Sequence, residues 1–167
     1  LESGFYNIVF SNFNIKDLLE EVCSAFENKL EENKLTLIKN IFNFTVNADF
    51  KKVEQVLINF VSNAVKYTKE EGSIYIRTED YDKEKIIIFV ENEGEIPQED
   101  IDNIWNRYYR TEKSENPFQG SGLGLEIVRN ILELHKSIYG VKNVNGRVQF
   151  FFTLNKSKKV NYKSYIC

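Results

Sequence analysis

The chain of 167 residues contains no methionine, one histidine, one tryptophan and only two cysteines. Cys23 and Cys167 lie far apart and match no metal-ligand spacing, so neither a disulfide framework nor a cysteine-bound zinc module is available. A reduced, cytoplasmic compartment is expected, and Cys23, on the apolar side of a predicted helix, is expected in the core. No apolar run approaches the ~18 residues of a membrane-spanning helix, and no signal peptide opens the chain. A net charge of −3 gives no reason to expect nucleic acid or an anionic membrane as partner. No internal repeat or extended low-complexity tract is present. The start at Leu1 without methionine predicts a fragment of a longer protein. With 42% hydrophobic and 28% charged residues, the chain suits one soluble domain with a real core.

The most informative segment runs from Gln55 to Thr68. Val53, Leu57, Phe60 and Ala64 form the buried stripe of an amphipathic helix. At about 100° per residue, with Asn59 at zero, Asn63 falls near 40°, Lys66 near −20° and Tyr67 near 80°, on the rim of that stripe. A rim residue is held by the core and still reaches a ligand. Amide oxygens suit a hard Mg²⁺ and a lysine suits phosphate. Two asparagines inside a helix are poor choices for helix formation alone. A second segment, Gly120-Ser121-Gly122-Leu123-Gly124-Leu125, is a glycine-rich loop opening a helix. Alternate glycines let backbone N–H groups approach an anion, and the helix adds its N-terminal dipole. It follows no predicted strand and lacks a Gly-Lys-Ser/Thr ending, which argues against a dinucleotide fold and a P-loop.

Along the chain, residues 6–10 read as a strand, and Asn14 as the N-cap of a helix reaching about Asn33. Strands follow at 35–42 and 44–48, then the helix capped by Asp49 and ending near Tyr67. Strands at 73–79 and 86–91 flank a polar loop at 81–85. Pro97, Glu99 and Asp100 open a helix to Trp105. Residues 109–119 read as a mobile loop. The glycine-rich helix ends near His135, and strands 138–143 and 147–154 form a hairpin around Asn145-Gly146. These elements predict an α+β, two-layer sandwich: a mixed, largely antiparallel sheet with three main helices on one face. Residues 1–13 read as a linker and first strand, 14–154 as the domain, and 155–167 as a polar, basic tail.

Four segments in order resemble the boxes of sensor histidine kinases. Gln55–Thr68 looks like the N box, and Val90-Glu91-Asn92-Glu93-Gly94-Glu95-Ile96-Pro97 like the G1 box. Ile104-Trp105-Asn106-Arg107-Tyr108-Tyr109-Arg110 looks like the F box, and Gly120–Leu125 like the G2 box. The resemblance covers the chain from Leu1-Glu2-Ser3-Gly4 to about Leu154. It implies the ATP-binding catalytic fold shared by histidine kinases, Hsp90, gyrase B and MutL, using ATP and Mg²⁺. By that resemblance Asn63 binds Mg²⁺ with support from Asn59, and Lys66 and Tyr67 touch phosphate. Asn92 stands where the family has an adenine-reading aspartate, and the G1 segment, with Gly94 and Ile96, is one residue shorter than usual. Tyr109 and Arg110 match the part of the family's lid that reaches nucleotide, and Gly120, Ser121, Gly122, Leu123, Gly124 and Leu125 the phosphate loop.

The family's phosphoacceptor histidine lies on a separate upstream dimerisation domain, so His135 is expected to be a packed residue. ATP-hydrolysing relatives place a water-activating glutamate where this chain has Asn59, which favours a kinase over an ATPase. Competing readings are a nucleotide-binding pseudokinase or interaction module, an ATPase of the same fold, and a kinase with a serine acceptor. The implied partners are the histidine-bearing domain of the same protein and a response regulator, with no nucleic acid. The fragment is expected to be monomeric, and the full protein a homodimeric, membrane-bound bacterial sensor whose cytoplasmic part this is.

Overall fold

The computed structural model describes residues 7–106 and 124–158. The core is built around one five-stranded sheet. Its strands are β2 (Thr36–Asn40), β4 (Ser73–Asp80), β5 (Lys85–Glu93), β6 (Tyr139–Val144) and β7 (Arg147–Asn155), in the spatial order β2-β4-β5-β7-β6. The β2–β4 pair is parallel and every other neighbour antiparallel. A separate antiparallel ribbon pairs β1 (Ser11–Asn14) with β3 (Thr45–Ala48). The helices are α1 (Ile15–Ala25), α2 (Glu27–Glu32), α3 (Phe50–Tyr67), the short α4 (Gln98–Ile101) and α5 (Gly124–Leu134). This is the expected α+β sandwich on a mixed, largely antiparallel sheet.

Alternation decides which sheet face packs. Ile74 and Ile76 on β4, Ile86, Ile88 and Val90 on β5, and Val148, Phe150, Phe152 and Leu154 on β7 all share the buried face. Against it α3 presses Phe60, whose ring meets Phe150 at 4.9 Å and Phe152 at 5.9 Å between centroids. The burial of Val53, Val56, Leu57, Phe60, Val61 and Ala64 gives α3 a continuous apolar stripe. Helix α1 adds Leu18, Leu19, Val22 and Cys23; burial pushes the Cys23 thiol up to about 11, as befits a core residue. On the opposite sheet face the Arg77 guanidinium lies over Phe89, and that of Arg147 over Tyr75. Both arginines, with Gln149, enclose the buried carboxylate of Glu91. A buried charge is tolerated only when matched in this way.

Several boundaries differ from the sequence reading. The first strand is Ser11–Asn14; residues 7–10 precede it outside any strand. The long helix after Asn14 divides at Phe26, whose N–H bonds to Cys23 O, and resumes as α2. The helix after Pro97 stops at Ile101 and continues as turns. Strand β7 runs one residue into the segment read as a tail. Beyond it, Lys156 N–H donates to Glu84 O at 2.7 Å and Ser157 N–H to Thr45 O at 2.9 Å. The Asn145-Gly146 turn has positive φ at both residues (51° and 74°), the type I′ geometry that asparagine and glycine favour. Residues 109–119 and 159–167 lie outside the described residues.

Phe152 is fully buried against Phe60. Phe152→Ala is expected to destabilise the domain by about 3–5 kcal/mol. Urea unfolding is the check: the midpoint should fall sharply with an unchanged slope.

Candidate functional site

Asp49 starts α3 by accepting the Lys52 N–H at 3.1 Å. Ten residues on, the rotation fixed by the apolar stripe brings Asn59 and Asn63 to the edge of the core, both half-buried. Asn63 Nδ2 donates to Asn59 Oδ1 at 3.3 Å. That bond uses the Asn63 nitrogen and leaves its oxygen, a hard neutral donor, as the atom suited to Mg²⁺. Asn59 is held from the other side by α5. A Cβ placed on Gly124 would overlap the Asn59 amide nitrogen, so glycine at the start of α5 lets the helix approach that amide without displacing it. The structure therefore brings Asn59, Asn63 and Gly124 together. Leu125, next in α5, packs against the core. Lys66 and Tyr67 occupy the last turn of α3, with Lys66 Nζ 5.2 Å from the Tyr67 ring centroid; Tyr67 is exposed.

The G1 residues sit at the end of β5. Asn92 is on the buried sheet face, in register with Ile74 and Val148, and only 5% exposed. Its Nδ2 donates to Glu93 O at 3.1 Å, which leaves Oδ1 as an acceptor. Gly94 follows at φ +140°, a conformation side chains avoid, and its N–H donates to Gly146 O. Ile96 is fixed by a residue the sequence reading did not single out. The Asn143 amide accepts from Ile96 N–H at 3.0 Å and donates to Ile96 O at 2.7 Å. An asparagine within a strand, where its propensity is poor, was the available signal. Trp105 is a core anchor, in edge contact with Phe60, Phe150 and Tyr139. It ties the segment after α4 to the same phenylalanine that seats α3. Tyr109, Arg110, Gly120, Ser121, Gly122 and Leu123 lie outside the described residues.

His135, just beyond α5, is buried, and both ring nitrogens are engaged. Nε2 accepts from Asp49 N–H at 3.0 Å, and Nδ1 donates to Ile131 O at 2.8 Å. This tautomer has no lone pair to offer a phosphorus atom. The packed role expected of His135 is the one it has.

Residues 48–158 match the family described as histidine kinase-, DNA gyrase B- and HSP90-like ATPase. The catalytic domain of histidine kinase ThkA superposes with a TM-score of 0.80 at 34% identity, over 89% of this chain and 96% of that one. The chain belongs to the histidine kinase catalytic domains. Among curated relatives, sensor histidine kinase YclK of Bacillus subtilis is 30% identical over 80% of this chain and 27% of its own length. Adaptive-response sensory kinase SasA of Crocosphaera subtropica is 31% identical over 82% of this chain and 37% of its own length. The chain thus spans 27% and 37% of the length of these two relatives. No helix among the described residues is long and apolar enough to cross a membrane.

Two tests follow from this geometry. Gly124→Ala should displace the Asn59 amide, a mobile side-chain end, so the stability cost should stay below about 1.5 kcal/mol. Its effect on nucleotide affinity should be larger, and calorimetry on the variant decides. The second test concerns acid. Burial lowers the His135 pKa below the ordinary value, against the raising effects of the Ile131 hydrogen bond and the Asp49 charge. The unfolded imidazole takes up a proton as pH falls through about 6.5, before the folded one does. The contribution of His135 is therefore complete above that pH and lost as pH falls towards the folded value. Burial raises the Asp49 pKa, but the hydrogen bonds from Val9 and Lys52 outweigh it and the net shift is downward, so its loss comes at lower pH. Urea midpoints at pH 7.5 and 5.5 should converge in His135→Gln relative to the parent.

Proposed function

We propose that this domain binds ATP with Mg²⁺ and transfers the γ-phosphoryl group to a histidine on a separate helical domain of the same protein. The observation that carries this reading is the carboxamide pair Asn59–Asn63 wedged against the start of α5. Asn63 Oδ1 would hold the metal, and Lys66, Tyr67 and the backbone of 120–125 would hold phosphate. Bound Mg²⁺ would neutralise charge on the phosphate oxygens. Asn92 Oδ1 would accept from the adenine amino group, with Gly94 and Ile96 shaping the base pocket. Tyr109 and Arg110 would close over the nucleotide.

Asn59 cannot act as a general base, since a carboxamide takes no proton near neutral pH. Water at this site therefore lacks a local proton acceptor from Asn59, and the phosphoryl group waits for a stronger nucleophile. His135 cannot supply it. Phosphoryl transfer depends on positioning and charge neutralisation, which a docked imidazole from elsewhere would complete. A structure of ThkA contains the response regulator TrrA; a response regulator would likewise take the phosphoryl group onward here. On this reading the domain faces the cytoplasm of a bacterial sensor.

Calorimetry should detect ATP–Mg²⁺ binding, and Asn63→Ala should weaken it at least about tenfold, the loss of a ~1.4 kcal/mol interaction. Equal affinity in that variant would remove the metal role from Asn63. Asn92→Asp should tighten ATP and sharpen its preference over GTP, because a carboxylate cannot rotate to present a donor. Alone, the domain should hydrolyse ATP very slowly. Given the histidine-bearing domain in trans, it should form an acid-labile phosphoryl label there. Rapid hydrolysis by the isolated domain would favour an ATPase instead.

A further inference from the structure

Two contacts tie the opposite ends of α3 and α5 and show them to be antiparallel. At one, Gly124 lies against Asn59. At the other, His135 accepts the N–H of Asp49, the residue that caps α3. This second contact also holds the chain entering the domain. Asp49 Oδ2 accepts the Val9 N–H at 2.8 Å, while Oδ1 accepts Lys52 N–H. The Phe10 ring stands edge-on to the His135 imidazole, 5.6 Å between centroids. Val9 and Phe10 side chains are otherwise exposed, at 70% and 47%. Val9 is thus held by its backbone N–H and Phe10 by its ring, each against a buried side chain, although both side chains stay largely exposed.

We infer that Asp49 and His135 are positioning residues which couple docking of the entering segment, residues 7–10, to nucleotide binding at Asn59 and Asn63. The inference rests on the ATP reading of that site. Its physical basis is the pair of stiff helices between the two ends. Ten residues of α3, about 15 Å, separate Asp49 from Asn59. Drawing Val9 away removes one of the two N–H bonds that fix the Asp49 carboxylate and exposes the His135 side of the node. The Asp49–His135 bond that joins the start of α3 to the end of α5 then loses the Val9 tie on one side and the Phe10 ring on the other, and a shift of the two helices there is passed to the Asn59–Gly124 contact at their opposite ends. The coupling is reciprocal by linkage: whatever segment docking does for ATP affinity, ATP does for segment docking.

Three variants of the whole chain test this. Val9→Pro deletes the N–H donor at an exposed position outside any helix or strand. It should weaken ATP–Mg²⁺ binding about three- to tenfold, the range of modest couplings between distant sites, while the melting temperature barely moves. In the parent, ATP–Mg²⁺ should slow hydrogen exchange at the Val9 amide by a similar factor. His135→Phe keeps a ring but removes the acceptor and should weaken ATP binding. His135→Gln, whose side-chain oxygen can accept the Asp49 N–H, should restore it. If the parent binds ATP–Mg²⁺ but Val9→Pro binds it equally and nucleotide leaves Val9 exchange unchanged, the coupling is overturned and the ATP site stands. If the parent binds no ATP–Mg²⁺, the functional reading itself fails and the coupling with it. Should His135→Phe fail to fold, the Val9→Pro result decides alone.

Discussion

The seating of Phe60 on the sheet is the constraint on which the rest depends. Its ring touches Phe150, Phe152 and Trp105, joining α3, β7 and the segment after α4 through one side chain. An α-helix turns about 100° per residue, so fixing Phe60 in the core fixes Asn59 and Asn63 at its margin. A slip of one residue would swing both amides into the apolar layer or out into water. Burial thus does more than stabilise. It sets the angular position of a polar edge that is otherwise held, among the described residues, only by the Asn63–Asn59 bond and the close approach of Gly124.

Much of this was legible in the sequence because it is periodic and local. The stripe from Val53 to Ala64, the strands β4 and β5, the Asn14 and Asp49 caps and the Asn145-Gly146 turn all emerge as read. What was not legible is set by partners distant in sequence. Residues 6–10 are as apolar as a strand, yet the strand is Ser11–Asn14, because those residues meet Thr45–Ala48 while the Val9 N–H goes to Asp49. The break at Phe26 leaves no proline or glycine behind; Lys34 at φ 53° closes α2 where a glycine would usually announce the end. The Asn143 grip on Ile96 spans 47 positions and the Asp49–His135 bond 86. No pattern within a window of ten or twenty residues encodes such pairs.

The short G1 segment shows how a departure from a pattern is accommodated. With one residue fewer, the turn after β5 has less freedom of its own. Gly94 supplies the one conformation that needs glycine, its N–H is taken by Gly146 O, and Ile96 is secured at both its N–H and its carbonyl by Asn143. The β6–β7 hairpin therefore acts as the template for the turn. Asn92, buried beside it, gives up its amide nitrogen to Glu93 O and keeps a carbonyl to present. The loss of formal charge relative to an aspartate weakens the acceptor, but the buried setting strengthens any hydrogen bond it makes.

The division of labour follows from two side chains that are already employed. A base for water would have to stand near Asn59, and that position carries a neutral amide pinned between Asn63 and Gly124. A nucleophilic imidazole would have to come from His135, and both of its nitrogens hold the backbone, one at the start of α3 and one in the last turn of α5. Freeing either residue for chemistry would loosen the helices that form the site. On the proposed reading, the reacting nucleophile would be brought by another domain. The route by which such a domain is tethered would then be part of the site's physics. The described chain enters through Val9 and Phe10, and the residues that receive them are Asp49 and His135, the same pair that closes the far end of the two site helices.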